Sequence, residues 1–588
     1  MQLVIAEKPS VAKSIAKVIG ARESKDGYME GNGYIVSWCV GHLIGLASPD
    51  QYDEKYKKWR AEDLPILPEN WKTNVAYDKK KQYSTLTKLM KRSDVTELIC
   101  ATDAGREGEL IFRLVYYQAK CKKPFKRLWI SSMEDEAIRD GFTNLKKGST
   151  YDTLYEAALC RQRADWLVGM NGTRLFSTKY GTKLTVGRVQ TPTLAMVVER
   201  QKQIIDFQKE KYFNVHLDCD NLVVHKEKIF DPEAAEQLRA ACDGADVEVI
   251  SVIQKEKSIA PPKLYDLTTL QREANRIYGY TAQKTLNTAQ SLYEKKLITY
   301  PRTDSQFLTE DMEATANYMI DLIRKTFEFA SSFFDGKTAL DVQAVINNAK
   351  VTDHHAIIPT REIGKRDFYF LDIEERMLLM LVAQRLLAAT APRHRYMETE
   401  VLVRCGEEEF SAKGKEITDA GWKAIEEAFR KYAVPGKGEK QKEEAQILPS
   451  LREGQILHGV NATTTEHFTQ PPKSYTEDTL LSSMETAGND SFDEDTEKKG
   501  LGTPATRASM IEKLVASRYV ERKGKQIIPT EAGMKLVAAM PEQIRSPKLT
   551  AQWENSLLQI EKGHLSPQDF MGNVVTMITN LVQDTRNI

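Results

Sequence analysis

Hydrophobic and polar positions in the first 145 residues alternate between a strand pattern and a helix pattern. Short apolar runs such as Leu3 to Ala6 predict buried strands, and each is followed by a segment with helical periodicity. The predicted strands are 3–6, 34–40, 97–102 and 127–131, and the predicted helices are 10–19, 107–119 and 134–145. Strands that alternate with helices favour a mostly parallel sheet, whose ligands bind at the carboxyl ends of the strands.

The rest of the chain changes pattern several times. Residues 150–204 are helical and basic, and 504–534 have the order helix, helix, short strands, which resembles a winged helix. Two polar runs, 435–444 and 490–497, predict exposed loops. The other predicted strands are 212–219, 246–253 and 397–412, and the other predicted helices are 232–242, 266–278, 281–296, 309–326 and 373–389. Strands on both sides of 261–396 predict one β domain interrupted by a helical insertion.

Composition narrows the class of protein. The 588 residues are too many for one hydrophobic core and predict three or four packed units. Hydrophobic residues make up 41% and charged residues 28%, as in ordinary globular proteins. Lys plus Arg and Asp plus Glu both number 83, so a uniformly basic protein is excluded but a locally basic groove is not.

Membrane and redox signals are weak. The most apolar stretch, 377–392, contains Gln384 and Arg385, and the apolar residues 1–6 run straight into charges, so neither a membrane helix nor a signal peptide is expected. The seven cysteines form no CxxC pair, which argues against a zinc ribbon or a dithiol site. We therefore expect a soluble protein in a reduced cytoplasm, with no membrane partner.

Carboxylates follow two of the predicted strands. Glu7 and Lys8 come directly after the first strand, and Asp103 and Glu107 follow the strand 97–102. Clustered carboxylates repel one another unless a cation neutralises them, and Mg²⁺ prefers oxygen ligands. If the strands are neighbours, Glu7, Asp103 and Glu107 converge on one Mg²⁺. The alternative is a solvated turn, which Glu-Lys at a strand end often forms.

A tyrosine in a rigid turn is the candidate nucleophile. Tyr300 is followed by Pro301 and Arg302, after a predicted helix. Phosphoryl transfer to a tyrosine hydroxyl needs positive charge on the non-bridging oxygens, which the planar arginine fork supplies. The alternative is an exposed tyrosine on a loop.

Two further segments carry candidate functional residues. In Asp353-His354-His355 adjacent side chains on a strand point to opposite faces, so we expect one histidine at the active site rather than zinc. A Gly-containing basic turn at 184–192 and the helix before it suit single-stranded nucleic acid, with a solvated helix face as the alternative. The predicted DNA contacts are Trp59, Arg161, Trp166, Arg174, Gly187, Arg188, Val189, Gln190, Thr191, Pro192 and Arg302.

Seven motifs together resemble the type IA DNA topoisomerases. In order, they are AEKPS, ATDAGREGEL, ADWLVGMN, VGRVQTP, LITYPRTDS, DHHAIIPT and GLGTPATRASMIEKL, and the first and fifth are most similar to the bacterial topoisomerase III group. The motifs span residue 6 to about 514, so the resemblance covers nearly the whole chain.

The resemblance implies a toroidal, multi-domain α/β and α+β architecture. Residues 1–145 would form a TOPRIM-like metal-binding domain, and 263–395 a helical domain that carries Tyr300. Residues 205–262 with 396–464 would form a β-rich arch. Residues 146–204 with 465–588 would form a DNA-binding helical and winged-helix-like domain.

The resemblance also implies the reaction. Tyr300 would attack one strand and stay linked to the 5′ phosphate while another strand passes. The reaction would not need ATP, and the sequence accordingly contains no G-x-x-x-x-G-K-[ST] loop. Arg302 would hold the scissile phosphate, Lys8 would protonate or stabilise the leaving 3′ oxygen, and Glu7 would exchange a proton with it. His354 matches the family's histidine near the site and would orient a TOPRIM carboxylate.

Two departures from the family pattern change the expectations. The TOPRIM pattern often reads Asp-x-Asp-x-Glu, but Gly105 stands at the second Asp, which predicts a single tightly held ion unless Glu109 compensates. The chain also lacks the cysteine-rich zinc modules of many relatives, so we expect no zinc.

The expected substrate is negatively supercoiled or catenated DNA with single-stranded character. A helicase or a single-strand-binding protein is the expected partner of a monomeric, nucleoid-associated enzyme. Two alternatives remain from the residues. A TOPRIM nuclease or primase would have no need of the Tyr300 turn, and an inactive single-strand-binding subunit would have no need of Lys8 and Arg302.

Overall fold

The computed structural model describes residues 1–219, 221–331, 339–351, 354–365, 367–368, 370–433, 448–488 and 500–587. Asp353 and the predicted loops 435–444 and 490–497 lie outside the described residues.

The strands are β1 (Gln2–Ala6), β2 (Glu23–Lys25), β3 (Tyr28–Gly31), β4 (Tyr34–Trp38), β5 (Ile44–Leu46), β6 (Thr73–Val75), β7 (Glu97–Ala101), β8 (Phe125–Arg127), β9 (Lys146–Lys147), β10 (Lys211–Cys219), β11 (Leu222–Ile229), β12 (Val247–Ile259), β13 (His394–Cys405), β14 (Glu408–Asp419), β15 (Ile456–Leu457), β16 (Asn461–Phe468), β17 (Val520–Lys523) and β18 (Gln526–Pro529).

The helices are α1 (Pro9–Ile19), α2 (Lys80–Lys91), α3 (Arg106–Gln118), α4 (Asp135–Thr143), α5 (Asp152–Tyr180), α6 (Gln190–Ile205), α7 (Pro232–Cys242), α8 (Leu267–Tyr278), α9 (Ala282–Glu294), α10 (Glu313–Thr326), α11 (Glu328–Ser331), α12 (Ile373–Thr390), α13 (Trp422–Ala433), α14 (Glu477–Thr486), α15 (Pro504–Ala516), α16 (Glu531–Ala539), α17 (Glu542–Arg545), α18 (Pro547–Glu561) and α19 (Pro567–Asn587). Among the described residues, no helix has the length and apolar character that a membrane crossing requires.

The first sheet has the strand order β2-β3-β4-β1-β7-β8-β9. Its centre is parallel, as predicted, because β1 pairs with both β4 and β7 and β7 pairs with β8 in that sense. Its two edges are antiparallel, which the pattern of alternating strands and helices did not indicate. Ala6 pairs with Ala101, so the residues after β1 and β7 emerge side by side.

One predicted strand of this sheet is displaced. The strand expected at 127–131 is β8, which begins two residues earlier and ends at Arg127. The residues after it leave the sheet, and the Ser131 carbonyl accepts a hydrogen bond from the backbone N–H of Tyr300 at 2.9 Å. Through this hydrogen bond, Ser131 helps to position the turn that contains Tyr300, which is distant in the sequence.

The second sheet has the order β15-β12-β13-β14-β11-β10-β16 and is antiparallel at its centre. Strands β12 and β13 pair from Glu248–Arg404 to Ile259–His394, although helices α8 to α12 separate them along the chain. The prediction that strands on both sides of the helical insertion join is therefore confirmed for the sheet. The single β segment expected at 397–412 is in fact the two strands β13 and β14, joined by a turn at Gly406.

The helical segment, which we define as residues 263–395, packs against the first sheet. Val4 and Ile99 of that sheet belong to the same hydrophobic core as Leu292, Ile298 and Tyr300. Burial of apolar area is the main stabilising term of such a contact. The segment is thus attached to the first sheet by packing and to the second sheet by its chain ends.

The carboxy-terminal part surrounds α5 and α6. The order at 504–534 is helix α15, strands β17 and β18, then helix α16, so the prediction of two helices before the strands is wrong. Gly533 explains the tight contact of α16 with the strands, because a Cβ there would lie 2.2 Å from the Tyr519 carbonyl oxygen.

A buried ion network joins α18 to this part of the chain. Arg188 is 5% exposed, and its guanidinium contacts Asp165 at 2.7 Å and Glu554 at 2.9 Å. Burial alone would raise the pKa of Glu554, but Arg188, Arg161 and Arg106 outweigh it and lower that pKa to about 2.

We predict that Glu554→Gln lowers the free energy of unfolding by about 3 kcal/mol, because Arg188 loses a buried anionic partner. Folding lowers the pKa of Glu554 below its ordinary 4.5, so the wild type loses this stabilisation as the pH falls from 4.5 towards 2. Calorimetric melting at pH 7 and at about pH 3, inside this window, measures both effects. Glu531→Gln is the control, since its pair with Lys535 is exposed. Equal melting temperatures for the two variants at pH 7 would contradict the prediction.

Candidate active site

The carboxyl ends of β1 and β7 bring two acidic side chains together. Glu7 follows β1 directly and is 5% exposed, and Asp103 follows β7 by two residues. Burial and the adjacent Asp103 raise the pKa of Glu7 to about 7, against the smaller opposing effects of Arg302 and Lys8. Both carboxylates line one pocket of about 400 Å³. Their repulsion makes this edge of the sheet favourable for a cation.

The start of α3 adds Glu107. Burial would raise the pKa of Glu107, but the His42 hydrogen bond and the charges of Arg161 and Arg302 outweigh it and lower that pKa. Its Oε1 lies 2.7 Å from His42 Nε2, and its side chain is half exposed. Glu107 therefore lines the pocket while pointing one oxygen at an exposed histidine.

Gly105 precedes α3 with φ 149° and ψ 173°. Only glycine adopts this backbone region without strain, so the residue that departs from the family pattern has a conformational reason.

Glu109 cannot replace the missing aspartate. It is fully buried, and its carboxylate pairs with Arg113 at 2.7 Å and with Arg127 at 3.1 Å. Arg127 also donates hydrogen bonds to the backbone carbonyls of Thr102 and Asp103, both at 2.7 Å. The expectation that Glu109 could compensate for Gly105 is wrong, because Glu109 neutralises the arginine that holds the loop.

Tyr300 lies against these carboxylates. Its hydroxyl donates to Asp103 Oδ2 at 3.3 Å, and the residue is 6% exposed. Burial, with Asp103 and Glu7 nearby, raises the pKa of Tyr300 well above its ordinary value. The hydroxyl is therefore protonated in this state and has a carboxylate positioned to accept its proton.

The turn that carries Tyr300 is held by a short pairing with residues 356–360. Thr299 N–H donates to the Ile358 carbonyl at 2.9 Å, and Thr360 N–H donates to the Leu297 carbonyl at 3.0 Å. Arg302 follows in the same turn and lines the pocket, where its Nε is buried without a hydrogen-bond partner among the described residues. Such a donor is suited to a phosphate oxygen.

His354 lies in the site, but its partner differs from the prediction. Its Nε2 lies 2.6 Å from the Ala104 carbonyl oxygen, and its Nδ1 lies 2.9 Å from Ser131 Oγ. Since a carbonyl only accepts, Nε2 carries the proton and Nδ1 accepts from Ser131. Burial lowers the pKa of His354 to about 4. The expectation that His354 orients a carboxylate is wrong here, because its Nε2 contacts a backbone carbonyl. Its ring packs against the Tyr300 ring, with the centroids 4.3 Å apart and the planes tilted by 39°.

Lys8 lies beside the pocket without lining it. Its ammonium forms an ion pair with Glu294 Oε1 at 3.1 Å. A role of Lys8 at the leaving oxygen therefore requires the side chain to leave Glu294.

Most of the predicted DNA contacts are buried. Trp166 donates to the Ala47 carbonyl at 3.0 Å and packs on Trp71, and Arg174 donates to the Tyr56 carbonyl. The buried residues of the set are Trp166, Arg174, Arg188, Gln190, Thr191 and Pro192. These side chains have little free surface in this arrangement, so their contact with DNA stays a prediction.

The remaining candidates are accessible to different degrees. Trp59 is 42% exposed, with the Arg174 guanidinium 5.5 Å from its ring. Arg161 and Arg302 line the pocket, and Gly187 and Val189 are half-buried in the turn before α6. Arg161 and Trp59 are therefore the best placed of the set.

Sequence reasoning missed one wall of the pocket. Arg106 lines it and pairs with Glu561 at 3.0 Å, which connects α3 to α18. Residues 503–506 line it as well. The signal was available, because the GTPAT sequence was already among the seven motifs.

The pocket fits a magnesium ion without being preorganised for it. Among the described parts of the chain, no three His, Cys, Asp or Glu side chains are grouped closely enough to hold a metal. Glu7, Asp103 and Glu107 nevertheless face the same pocket, and their oxygens are the ligands that Mg²⁺ prefers. The raised pKa of Glu7 shows that its negative charge is unfavourable in this pocket, and a bound cation would relieve that repulsion.

Family models match most of the chain. A Toprim domain model matches residues 2–133, and a DNA topoisomerase model matches residues 149–572. Toprim domains typically bind Mg²⁺.

Relatives and a solved structure agree with these models. The chain is 40% identical to DNA topoisomerase 3 of Bacillus licheniformis over 590 residues, covering 97% of this chain and 79% of the relative. It is 39% identical to DNA topoisomerase 3 of Bacillus subtilis over 604 residues, covering 100% and 82%. Full-length topoisomerase I from Thermotoga maritima has a similar fold, with a TM-score of 0.74 and 23% identity over 99% of this chain and 90% of that one. The chain belongs to the type IA DNA topoisomerase family.

Proposed function

We propose that this enzyme changes DNA topology by cutting and rejoining one strand through Tyr300. The Tyr300 oxygen attacks a phosphodiester, a phosphotyrosine forms at the 5′ phosphate, and the 3′ oxygen leaves as a hydroxyl. Another strand passes through the break, and the 3′ hydroxyl then attacks the phosphotyrosine to restore both groups. No ATP is needed, because one ester is exchanged for another.

One observation carries this proposal. The Tyr300 hydroxyl donates to Asp103 at 3.3 Å in a pocket that also contains Glu7 and Arg302. A nucleophile, a proton acceptor and a cation for the phosphate are thus within one cavity. A nuclease or primase would need only the carboxylates.

The proton steps follow from the surroundings. Tyr300 has a raised pKa, so its attack requires proton transfer, and Asp103 is the group that accepts its hydrogen bond. Glu7 has a pKa of about 7 and can hold or release a proton near neutrality, which suits exchange with the leaving 3′ oxygen. Lys8 would stabilise the same oxygen after leaving Glu294.

Arg302 would bind the scissile phosphate, and Arg161 with Trp59 would contact the flanking strand. Residues 1–145 and 263–395 would supply the two halves of the active site. The second sheet, from 205–262 and 396–464, would arch over the passing strand. Residues 146–204 and 465–588 would bind the single strand.

Glu7, Asp103 and Glu107 would hold one Mg²⁺, with Glu107 turning away from His42 to do so. The ion would supply positive charge that balances the carboxylates and the phosphate. The chain's own residues still position the nucleophile and transfer the protons.

The proposed substrate is negatively supercoiled or catenated DNA with single-stranded character. We infer that the enzyme is a cytoplasmic monomer at the nucleoid, working beside a helicase or a single-strand-binding protein. Relaxation and decatenation assays on the purified chain, with and without such a protein, test this inference.

We predict that Tyr300→Phe abolishes the covalent adduct and relaxation while leaving the affinity for single-stranded DNA little changed, because only the attacking oxygen is lost. An oligonucleotide labelled at its 3′ end should remain on the wild-type protein after denaturation, since the 5′ phosphate carries the downstream fragment. Label retained by the Phe variant would place the nucleophile elsewhere.

Removing the charge of Arg302 or Lys8 should slow cleavage by about 10²–10³-fold, as for other preorganised electrostatic groups. Single-turnover cleavage of the labelled oligonucleotide by Arg302→Ala and Lys8→Ala measures this. A wild-type rate for Lys8→Ala would remove Lys8 from the leaving-group role.

We predict one Mg²⁺ per active site, measured by calorimetric titration, and weaker metal binding together with lower activity for Asp103→Asn. Gly105→Asp should lose about 1–3 kcal/mol of stability to backbone strain and gain no second tight ion. Gly105→Ala is the matched control, because a Cβ there meets nothing within 4 Å and tests the strain alone. Two comparably tight ions in the wild type would contradict the single-ion prediction.

A further inference from the structure

Lys8 has a partner, Glu294, to which the proposed mechanism gives no role of its own. Its ammonium pairs with Glu294 Oε1 at 3.1 Å, and Ser10 Oγ donates to Glu294 Oε2 at 2.8 Å. Gln290 Nε2 also donates to Oε1 at 3.1 Å. Glu294 is the last residue of α9, six positions before Tyr300. The Glu294 carboxylate therefore links the helical segment, which carries Tyr300, to Lys8, which follows β1 of the first sheet.

We propose that Glu294 is a positioning residue that holds Lys8 while DNA is absent and loses it to the scissile phosphate when DNA binds. This inference rests on the proposed function. It adds an exchange of partners, in which one ammonium serves first a protein carboxylate and then a phosphodiester.

The exposure of the pair makes this exchange inexpensive. The side chains of Lys8 and Glu294 are 25% and 26% exposed, whereas those of the Arg188–Glu554 pair are 2% and 3% exposed. Partly solvated ion pairs contribute little net stability, but breaking a buried pair is costly. Lysine also has a flexible four-carbon stem, which lets its ammonium move between acceptors.

The exchange has a consequence for the contact between the helical segment and the first sheet. Other polar contacts also join them near Tyr300, among them Lys296 to Asp135 at 2.5 Å, Tyr300 N–H to the Ser131 carbonyl, and His354 to the Ala104 carbonyl. The Lys8 pair differs from these three because its cation has a proposed role at the phosphate. Binding of DNA therefore removes one attachment of the segment that must move when the strands pass.

The test is a cycle of variants in a Tyr300→Phe background, where binding is measured without cleavage. Glu294→Gln keeps the size of the side chain and an acceptor for Ser10 but removes the charge. We expect its affinity for a single-stranded oligonucleotide to rise by about 2- to 5-fold, the equivalent of a partly exposed ion pair. In the presence of Lys8→Met this gain should disappear, because no ammonium is left to release.

A matched control separates this effect from a general loss of negative charge. Asp135→Asn removes a carboxylate from the same contact, and its effect on affinity should be equal with Lys8 or Met at position 8. Glu294→Asp keeps the charge and should restore an affinity near that of the unsubstituted residue. If Glu294→Gln folds poorly, Ser10→Ala weakens the same carboxylate and should raise the affinity to a smaller extent.

Cleavage provides a second readout in the chain that retains Tyr300. Glu294→Gln should lower the DNA concentration at half-maximal single-turnover cleavage and leave the maximal rate unchanged, since Glu294 does not touch the reacting atoms. A weaker affinity, or a gain that persists with Lys8→Met, would overturn the inference. Absence of an adduct in the unsubstituted chain would instead overturn the proposed function.

Discussion

The repulsion between two carboxylates at one edge of a parallel sheet is the constraint on which the site depends. Parallel pairing of β1 with β7 forces Glu7 and Asp103 to the same edge, and burial raises the pKa of Glu7 to about 7. Neighbouring residues reduce the repulsion between the two carboxylates by supplying hydrogen-bond donors and positive charge. Tyr300 donates to Asp103, Arg302 faces both carboxylates, and Arg127 fixes the loop through its backbone carbonyls. The Tyr300 hydroxyl can lie at this edge because it supplies a hydrogen-bond donor to the Asp103 carboxylate.

Local sequence was sufficient for the features that depend on periodicity and chain order. The parallel centre of the first sheet, the acidic residues after β1 and β7, and the turn around Tyr300 all follow from short segments whose neighbours in the chain determine them. The joining of β12 with β13 was also visible, because the strand patterns on both sides of the helical insertion are similar. The order of strands and helices at 504–534 was not, since β17 and β18 have only four residues each and give a weak strand pattern.

Contacts between distant residues account for most of what the sequence could not give. From the sequence, Arg188 is a candidate DNA contact. In the structure it is buried and pairs with Glu554, which lies 366 positions later in the chain. Trp166 looks like a base-stacking residue, but Ala47, 119 positions away, accepts its N–H. The same holds for Lys8 and Glu294, which are 286 positions apart. A motif alone does not identify the partner of a charged or aromatic side chain, because that partner lies far away in the sequence.

The ends of the helical segment are side by side in the second sheet. Ile259, the last residue of β12, pairs with His394, the first residue of β13, so the chain leaves and returns through adjacent, hydrogen-bonded strands. Because the two ends are adjacent and hydrogen-bonded, any movement of the helical segment relative to the second sheet has to take place about this one point. The path of such a movement is then constrained by the β12–β13 pairing, which belongs to a different sheet from Glu7 and Asp103.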